Sequence, residues 1–198
     1  MRKTGIGRVL LASLHQGIED VLPTRLGFYE NWLNAEWLRD GTIGLAPVYA
    51  VLSFLRQEGD AYQTITTRAG EYAAEWTVQS MPPFRRSLIK SAPMWLRGRL
   101  VLGLATRLVH STYKKSRAVS RLRHDTAHVE VRSSIFCAVR EPVPQALCGF
   151  YAAAVERLMV RFGVGAKAEV IACHGMGETT CVVRVVLSAQ AAESDEVS

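Results

Sequence analysis

No run of about 18 consecutive apolar residues occurs in this 198-residue sequence, so no segment is long enough to cross a bilayer as a helix. Cysteine is scarce: Cys137, Cys148, Cys173 and Cys181 are the only four, with no CxxC pair. That is too sparse for the disulfide framework of a small secreted protein. The chain opens Met1-Arg2-Lys3, as a signal peptide can. The apolar run that follows is broken by Arg8, then by His15, Gln16, Glu19 and Asp20, which reads as an amphipathic helix and not as a secretory leader. The expectation is a cytoplasmic protein, with peripheral membrane association left open and its thiols free or metal-bound.

Acidic residues are missing from 81 to 123. The same stretch holds eleven basic ones: Arg85, Arg86, Lys90, Arg97, Arg99, Arg107, Lys114, Lys115, Arg117, Arg121 and Arg123. The net charge is +6. Such a block is either a solvated face or a surface for an anionic membrane or acidic ligand. Aromatic residues hardly interleave with it, which argues against a stacking platform for single-stranded nucleic acid.

Enzyme signatures are also missing. There is no GxGxxG after a strand, no GxxxxGK[ST] loop, no HExxH and no GxSxG elbow. His110, His124 and His128 have no evident carboxylate partners, and Gly175-Met176-Gly177 is too short for a phosphate loop. A self-contained catalytic apparatus is not expected.

What the chain does have is a change of period at its middle. Val9, Leu10, Leu14, Ile18 and Val21 recur at helical spacing, and further helices are expected over about 24–38, 45–56, 61–78 and from Ser91 through Leu108. Met81-Pro82-Pro83 reads as a stiff connector. From His128 to Arg140 the apolar positions alternate, which predicts a strand. Residues 117–123 are its candidate hairpin partner. A helix opened by Pro142 and Pro144 follows, carrying Leu147, Tyr151, Val155, Leu158 and Phe162. Strands are expected over 166–172 and 180–187. The order gives an α+β fold, a helical N-terminal half on an antiparallel sheet made by a C-terminal ββαββ unit. One domain over 1–190 and a flexible acidic tail over 191–198 are expected.

Two constellations carry chemistry. Cys148 early in a helix, Cys173 ending one strand and Cys181 starting the next can converge as soft ligands for a tetrahedral ion such as Zn²⁺. Buried cysteines are equally at home as small apolar core residues. Aromatics crowd the first 80 residues, with Trp32, Trp37, Phe54 and Trp76 among them. They suit an ordinary core, the preferred reading, or a pocket for a flat apolar ligand. Trp32, lying off the main apolar stripe, also suits a homodimer face.

Cys148-Gly149-Phe150-Tyr151, then Gly163, then Glu169-Val170-Ile171-Ala172-Cys173, then Gly177 and Cys181 together resemble the C-terminal motif of the 4-vinyl-reductase domain family. That family shares the TRAPP-type trafficking fold. The match covers residues 145–187; upstream only the order of elements agrees. The resemblance implies a TRAPP-like fold, a bacterial origin, a pocket for a small apolar molecule and zinc on Cys148, Cys173 and Cys181. Zinc-binding members place a glutamate three residues before the middle cysteine, where this chain has Val170. Glu169 lies on the other face of an extended strand, and it is separated from Cys173 by about 13 Å. His174, beside Cys173 in a glycine-rich turn, is the better fourth ligand.

These readings converge on a non-catalytic binding or sensory domain for a small hydrophobic ligand (aromatic, lipid or tetrapyrrole-like) that acts through a partner. A dimeric scaffold docking a protein or membrane is one alternative. By the resemblance, an accessory role in (bacterio)chlorophyll vinyl-group reduction is another.

Overall fold

The computed structural model describes residues 6–33 and 44–188. Helix α1 (Arg8–Val21) buries Leu10, Leu11, Leu14 and Ile18, a stripe at helical spacing. A 3-10 turn at Pro23–Arg25 leads into the short α2 (Leu26–Glu30). The second half of the helix expected over 24–38 lies outside the described residues. Helix α3 (Leu45–Arg56) and α4 (Asp60–Gln79) follow as the periodicity indicates.

The connector at 81–83 is shorter than expected. Pro83 opens a helix of its own, α5 (Pro83–Ser91), because proline is well tolerated at the first helical position. Pro93 then caps α6 (Met94–Thr112).

Strands β1 (Arg117–Arg123) and β2 (Thr126–Arg132) pair as an antiparallel hairpin around His124-Asp125. The expected strand over 128–140 stops at Arg132. Ser133 takes a positive φ of 54°, and a 3-10 turn covers Ile135–Cys137. Phe136 and Ala138 are apolar where strict alternation calls for polar residues, and this change of backbone is why.

The helix expected after Pro144 begins only at Gly149, as α7 (Gly149–Arg161), with Cys148 at its N-cap. Strands β3 (Gly165–Ala172) and β4 (Cys181–Ser188) complete a four-stranded antiparallel sheet of order β1-β2-β4-β3.

Helices α6 and α7 pack on one face of the sheet, α4 packs on α7, and α1 packs on α4. The other face stays open to solvent, with Val119, Ile171 and Val186 exposed on it. Two glycines permit the helical layers to close. A Cβ on Gly70 of α4 would sit 2.3 Å from the Phe150 carbonyl oxygen, and one on Gly17 of α1 would sit 2.8 Å from that of Ile65. Mid-helix glycine costs about 1 kcal/mol relative to alanine, and here the close approach offsets it.

Candidate metal centre

Four chain segments end at one point behind the sheet. The 3-10 turn after β2 delivers Cys137, the N-cap of α7 delivers Cys148, the end of β3 delivers Cys173 and the first residue of β4 delivers Cys181. All four are buried free thiols. Their sulfurs lie within 4.8 Å of one another. Cys148 Sγ is 3.2 Å from Cys137, 3.1 Å from Cys173 and 2.9 Å from Cys181. Cys137 Sγ is 3.5 Å from Cys173 and 3.4 Å from Cys181.

Local backbone geometry explains the convergence. Along β3, Lys167, Glu169 and Ile171 face solvent. Simple alternation would put Cys173 with them. The register against β4 slips by one residue between Val170 and Ala172. This bulge resets the phase, and Cys173 ends fully buried. Cys181 pairs with Val131 and shares the inward phase of Val183 and Val185.

The sulfurs also receive donors. The Leu147 backbone N–H donates to Cys173 Sγ at 3.3 Å and the His174 backbone N–H to Cys181 Sγ at 3.4 Å. Hydrogen bonds from Cys137, Cys148 and Cys181 hold the Cys173 thiol far below the ordinary range. Cys137, Cys173 and Cys181 push Cys148 far up, and burial adds to this. Cys137 is lowered as well, by Cys148 first, and Cys181 is raised, by Cys137 first, so the four thiols titrate as one coupled set and a bound cation would favour their ionisation.

A cation fits. Four sulfurs at about 2.3 Å from a zinc ion make a tetrahedron with edges of about 3.8 Å. An opening of about 0.3 to 0.9 Å along the edges seen here admits such an ion. Tyr62 borders the thiols and also feels the charge of Arg56. Arg56 Nη1 is buried without a hydrogen-bond partner. The four cysteines can hold a metal ion.

His174, the expected fourth ligand, contributes its backbone instead. Its Nδ1–H donates to the Glu178 carbonyl at 2.8 Å. Glu169 pairs with Arg184 on the solvent side. The residue that sequence reasoning missed is Cys137. Its signal was the irregularity of the 128–140 alternation, which marked the end of the strand.

Beside the thiols lies a second feature that the sequence did not disclose. Phe136, Phe150 and Tyr151 form a buried ring cluster, with centroids 5.0 to 5.6 Å apart. The Tyr151 hydroxyl is surrounded by those of Ser134, Thr112 and Ser116. Thr112 and Ser116 donate to the carbonyls of Val109 and Ser133. The Tyr151 and Ser134 hydroxyls, both buried and neighbours of each other, close no hydrogen bond of good geometry.

The aromatic residues expected to line a pocket are divided. Trp32 and Phe54 come together, 5.8 Å apart, with Phe28 at 5.2 Å from Phe54. Trp76 stacks on Tyr72, sixteen residues beyond the start of α4, or about 24 Å along the axis. Trp37 lies outside the described residues. Of the basic residues, Arg85, Lys90, Arg99, Lys114 and Lys115 are exposed, and Arg86 and Arg97 are half-buried.

No protein-family model matches the sequence. No curated protein matches it either. Solved structures do. The phenol-responsive sensory domain of the transcription activator PoxR, solved with phenol, aligns at a TM-score of 0.52 and 11% identity, covering 72% of this chain and 74% of that one. An H-NOX domain of Shewanella oneidensis in the Fe(II)CO ligation state aligns at 0.57 and 10% identity, covering 93% of this chain and 99% of that one. An S. oneidensis H-NOX protein in the Fe(II)NO state gives 0.54 and 11% identity, covering 92% and 99%.

These matches overturn the resemblance to the 4-vinyl-reductase family and the TRAPP-like fold that it implied. The motif behind it spans one helix and two strands; the match to H-NOX runs through nearly the whole chain. The Fe(II) of those neighbours does not carry over by imidazole ligation. None of the five histidines is buried, and the buried metal-ligand set found among the described residues is the four thiols. At these identities the comparisons establish architecture: the chain has an H-NOX-like α+β fold, a helical N-terminal half on a four-stranded antiparallel sheet.

Proposed function

We propose that this chain is a non-catalytic sensory domain that binds a small hydrophobic ligand in its interior and signals through a partner. The observation that carries this reading is the buried cluster of hydroxyls from Tyr151, Ser134, Thr112 and Ser116 against the Phe136–Phe150–Tyr151 rings, in which those of Tyr151 and Ser134 close no hydrogen bond of good geometry. Buried polar groups without partners are uncommon and each needs a reason. A small aromatic molecule with one polar group supplies both an apolar body and the missing hydrogen bond. The likeness to a phenol-responsive sensory domain and to H-NOX domains supports the same class of function. Residues 1–190 act as one domain in this reading, around the continuous core that joins helices and sheet, and 191–198 as a tail.

The four cysteines hold zinc in this proposal. A Cys₄ set fills the tetrahedron and leaves no position open for a substrate, as in structural sites. Zinc there would tie together the ends of β2 and β3 and the starts of β4 and α7, the helix that carries Tyr151. The ion would fix the frame of the ligand site and take no part in a reaction. A second reading, a homodimer, is favoured by one patch. Phe28 and Trp32 remain 44% and 37% exposed beside Phe54, a composition enriched at interfaces.

The test is thermal denaturation of the zinc-loaded chain with phenol and a panel of substituted aromatics. A rise in Tm with hydroxylated rings, lost in Tyr151→Phe, is expected. No rise with any of them, from a protein whose Tyr151→Phe variant is merely more stable, contradicts the proposal.

A further inference from the structure

The corner formed by α5 and the first turns of α6 carries an apolar ridge that nothing in the described chain covers. Phe84 and Leu88, one helical turn apart on α5, are 79% and 56% exposed. Met94 and Trp95 at the start of α6 are 48% and 66% exposed. Ile89, on the opposite side of α5, is buried and anchors the helix. Phe84 makes no ring contact among the described residues, and the Arg99 guanidinium lies 6.0 Å from the Trp95 ring.

Positive charge frames the ridge. Arg85 and Lys90 flank it on α5, and Arg99 adjoins Trp95. Among the described residues, none of the eleven basic side chains between 81 and 123 forms an ion pair with a carboxylate. Asp125 borders the hollow beside Trp95 and Arg99 without pairing to either helix. No described helix is long and apolar enough to cross a membrane.

We propose that this corner docks the protein on an anionic lipid surface, with Phe84, Leu88 and Trp95 entering the headgroup layer and Arg85, Lys90 and Arg99 meeting lipid phosphates. A short helix with aromatic and aliphatic residues on one side and Lys and Arg beside them is the pattern of an interfacial helix. Trp prefers this boundary for its amphipathic ring. A second copy of the chain fits less well, because pairing this face with itself opposes like charges. Nucleic acid would use the charges but leave Phe84 and Leu88 without partners. The proposal holds whatever ligand the interior binds.

The test is cosedimentation of the full chain with vesicles of phosphatidylcholine and phosphatidylglycerol in equal parts, against vesicles of phosphatidylcholine alone. Binding to the first only, weakened by salt, is expected. Phe84→Ser with Leu88→Ser should lower partitioning at least tenfold. Arg85→Glu or Lys90→Glu should lower it about fivefold or more for each basic charge removed. A blue shift of tryptophan emission on binding should vanish in Trp95→Phe. These side chains are exposed, and circular dichroism is the check that each variant keeps its fold. No binding to the anionic vesicles, or equal binding to both kinds, overturns the proposal. So does binding that survives Phe84→Ser with Leu88→Ser and is competed by duplex DNA, which moves the surface to nucleic acid.

Discussion

Cys137 Sγ lies 3.2 Å from Cys148 Sγ, although the two residues belong to different elements and eleven positions separate them. Residues 138–148 between them form no helix or strand. This contact completes the four-thiol cluster.

The cluster therefore predicts metal content. The purified chain should carry about one zinc ion per molecule, because the site offers one tetrahedral set. Cys137→Ser should weaken zinc binding at least tenfold, by analogy with the 10–100-fold losses on removing even outer-shell partners. His174→Ala should leave zinc bound, since its ring faces Glu178. Elemental analysis of the three proteins checks this. Cys137→Ser with full zinc retention would return Cys137 to the core.

Zinc should also leave as pH falls. Each ligand must be a thiolate to bind, so protons compete with the ion. Zinc release followed with a chromogenic chelator should rise on acidification and coincide with loss of Tm. Release that is independent of pH would exclude thiolate ligation.

Alkaline pH probes the buried phenols. Burial pushes Tyr29, Tyr62 and Tyr151 above the usual tyrosine range, and the Glu58 carboxylate adds to this for Tyr29. The unfolded chain ionises these groups first, near about pH 10. Their contribution is fully present below that pH and is lost as pH rises through the native values. Urea midpoints should stay level up to about pH 10 and fall above it. Replacing the three tyrosines by phenylalanine should flatten the fall.

Tyr29 also donates to Glu58 Oε1 at 2.7 Å, and Arg25 pairs with the same carboxylate. Glu58→Ala leaves the Tyr29 hydroxyl without a partner, a cost of about 1 to 3 kcal/mol. Arg25→Ala, at a more exposed site, should cost under about 1 kcal/mol. Chemical denaturation distinguishes them, and equal losses would contradict the assignment.

Gly70→Ala should destabilise the fold by about 1 to 3 kcal/mol, against the gain that alanine normally brings to a helix. The new Cβ would meet a backbone oxygen, which cannot turn aside as a side chain can. Denaturation of Gly70→Ala beside Gly103→Ala, where nothing lies within 4 Å, isolates the packing effect.

The sequence by itself determined the order of most elements. The helical stripe of α1, the hairpin turn near His124-Asp125 and the strands after Gly163 follow from periodicity, because burial of one face writes itself into residue spacing. It also pointed to Cys148, Cys173 and Cys181 as neighbours, since a helix start and a hairpin bring them near. Only the tertiary structure decided the rest. A positive φ at Ser133 turned Cys137 out of its expected strand, and a bulge after Val170 rotated Cys173 inward. Both are one-residue changes of backbone, and they leave almost no trace in composition or period. The unpaired Tyr151 hydroxyl and the uncovered Phe84–Leu88 ridge were equally hidden. Whether a polar group finds a partner, or an apolar face a cover, depends on residues distant in the chain.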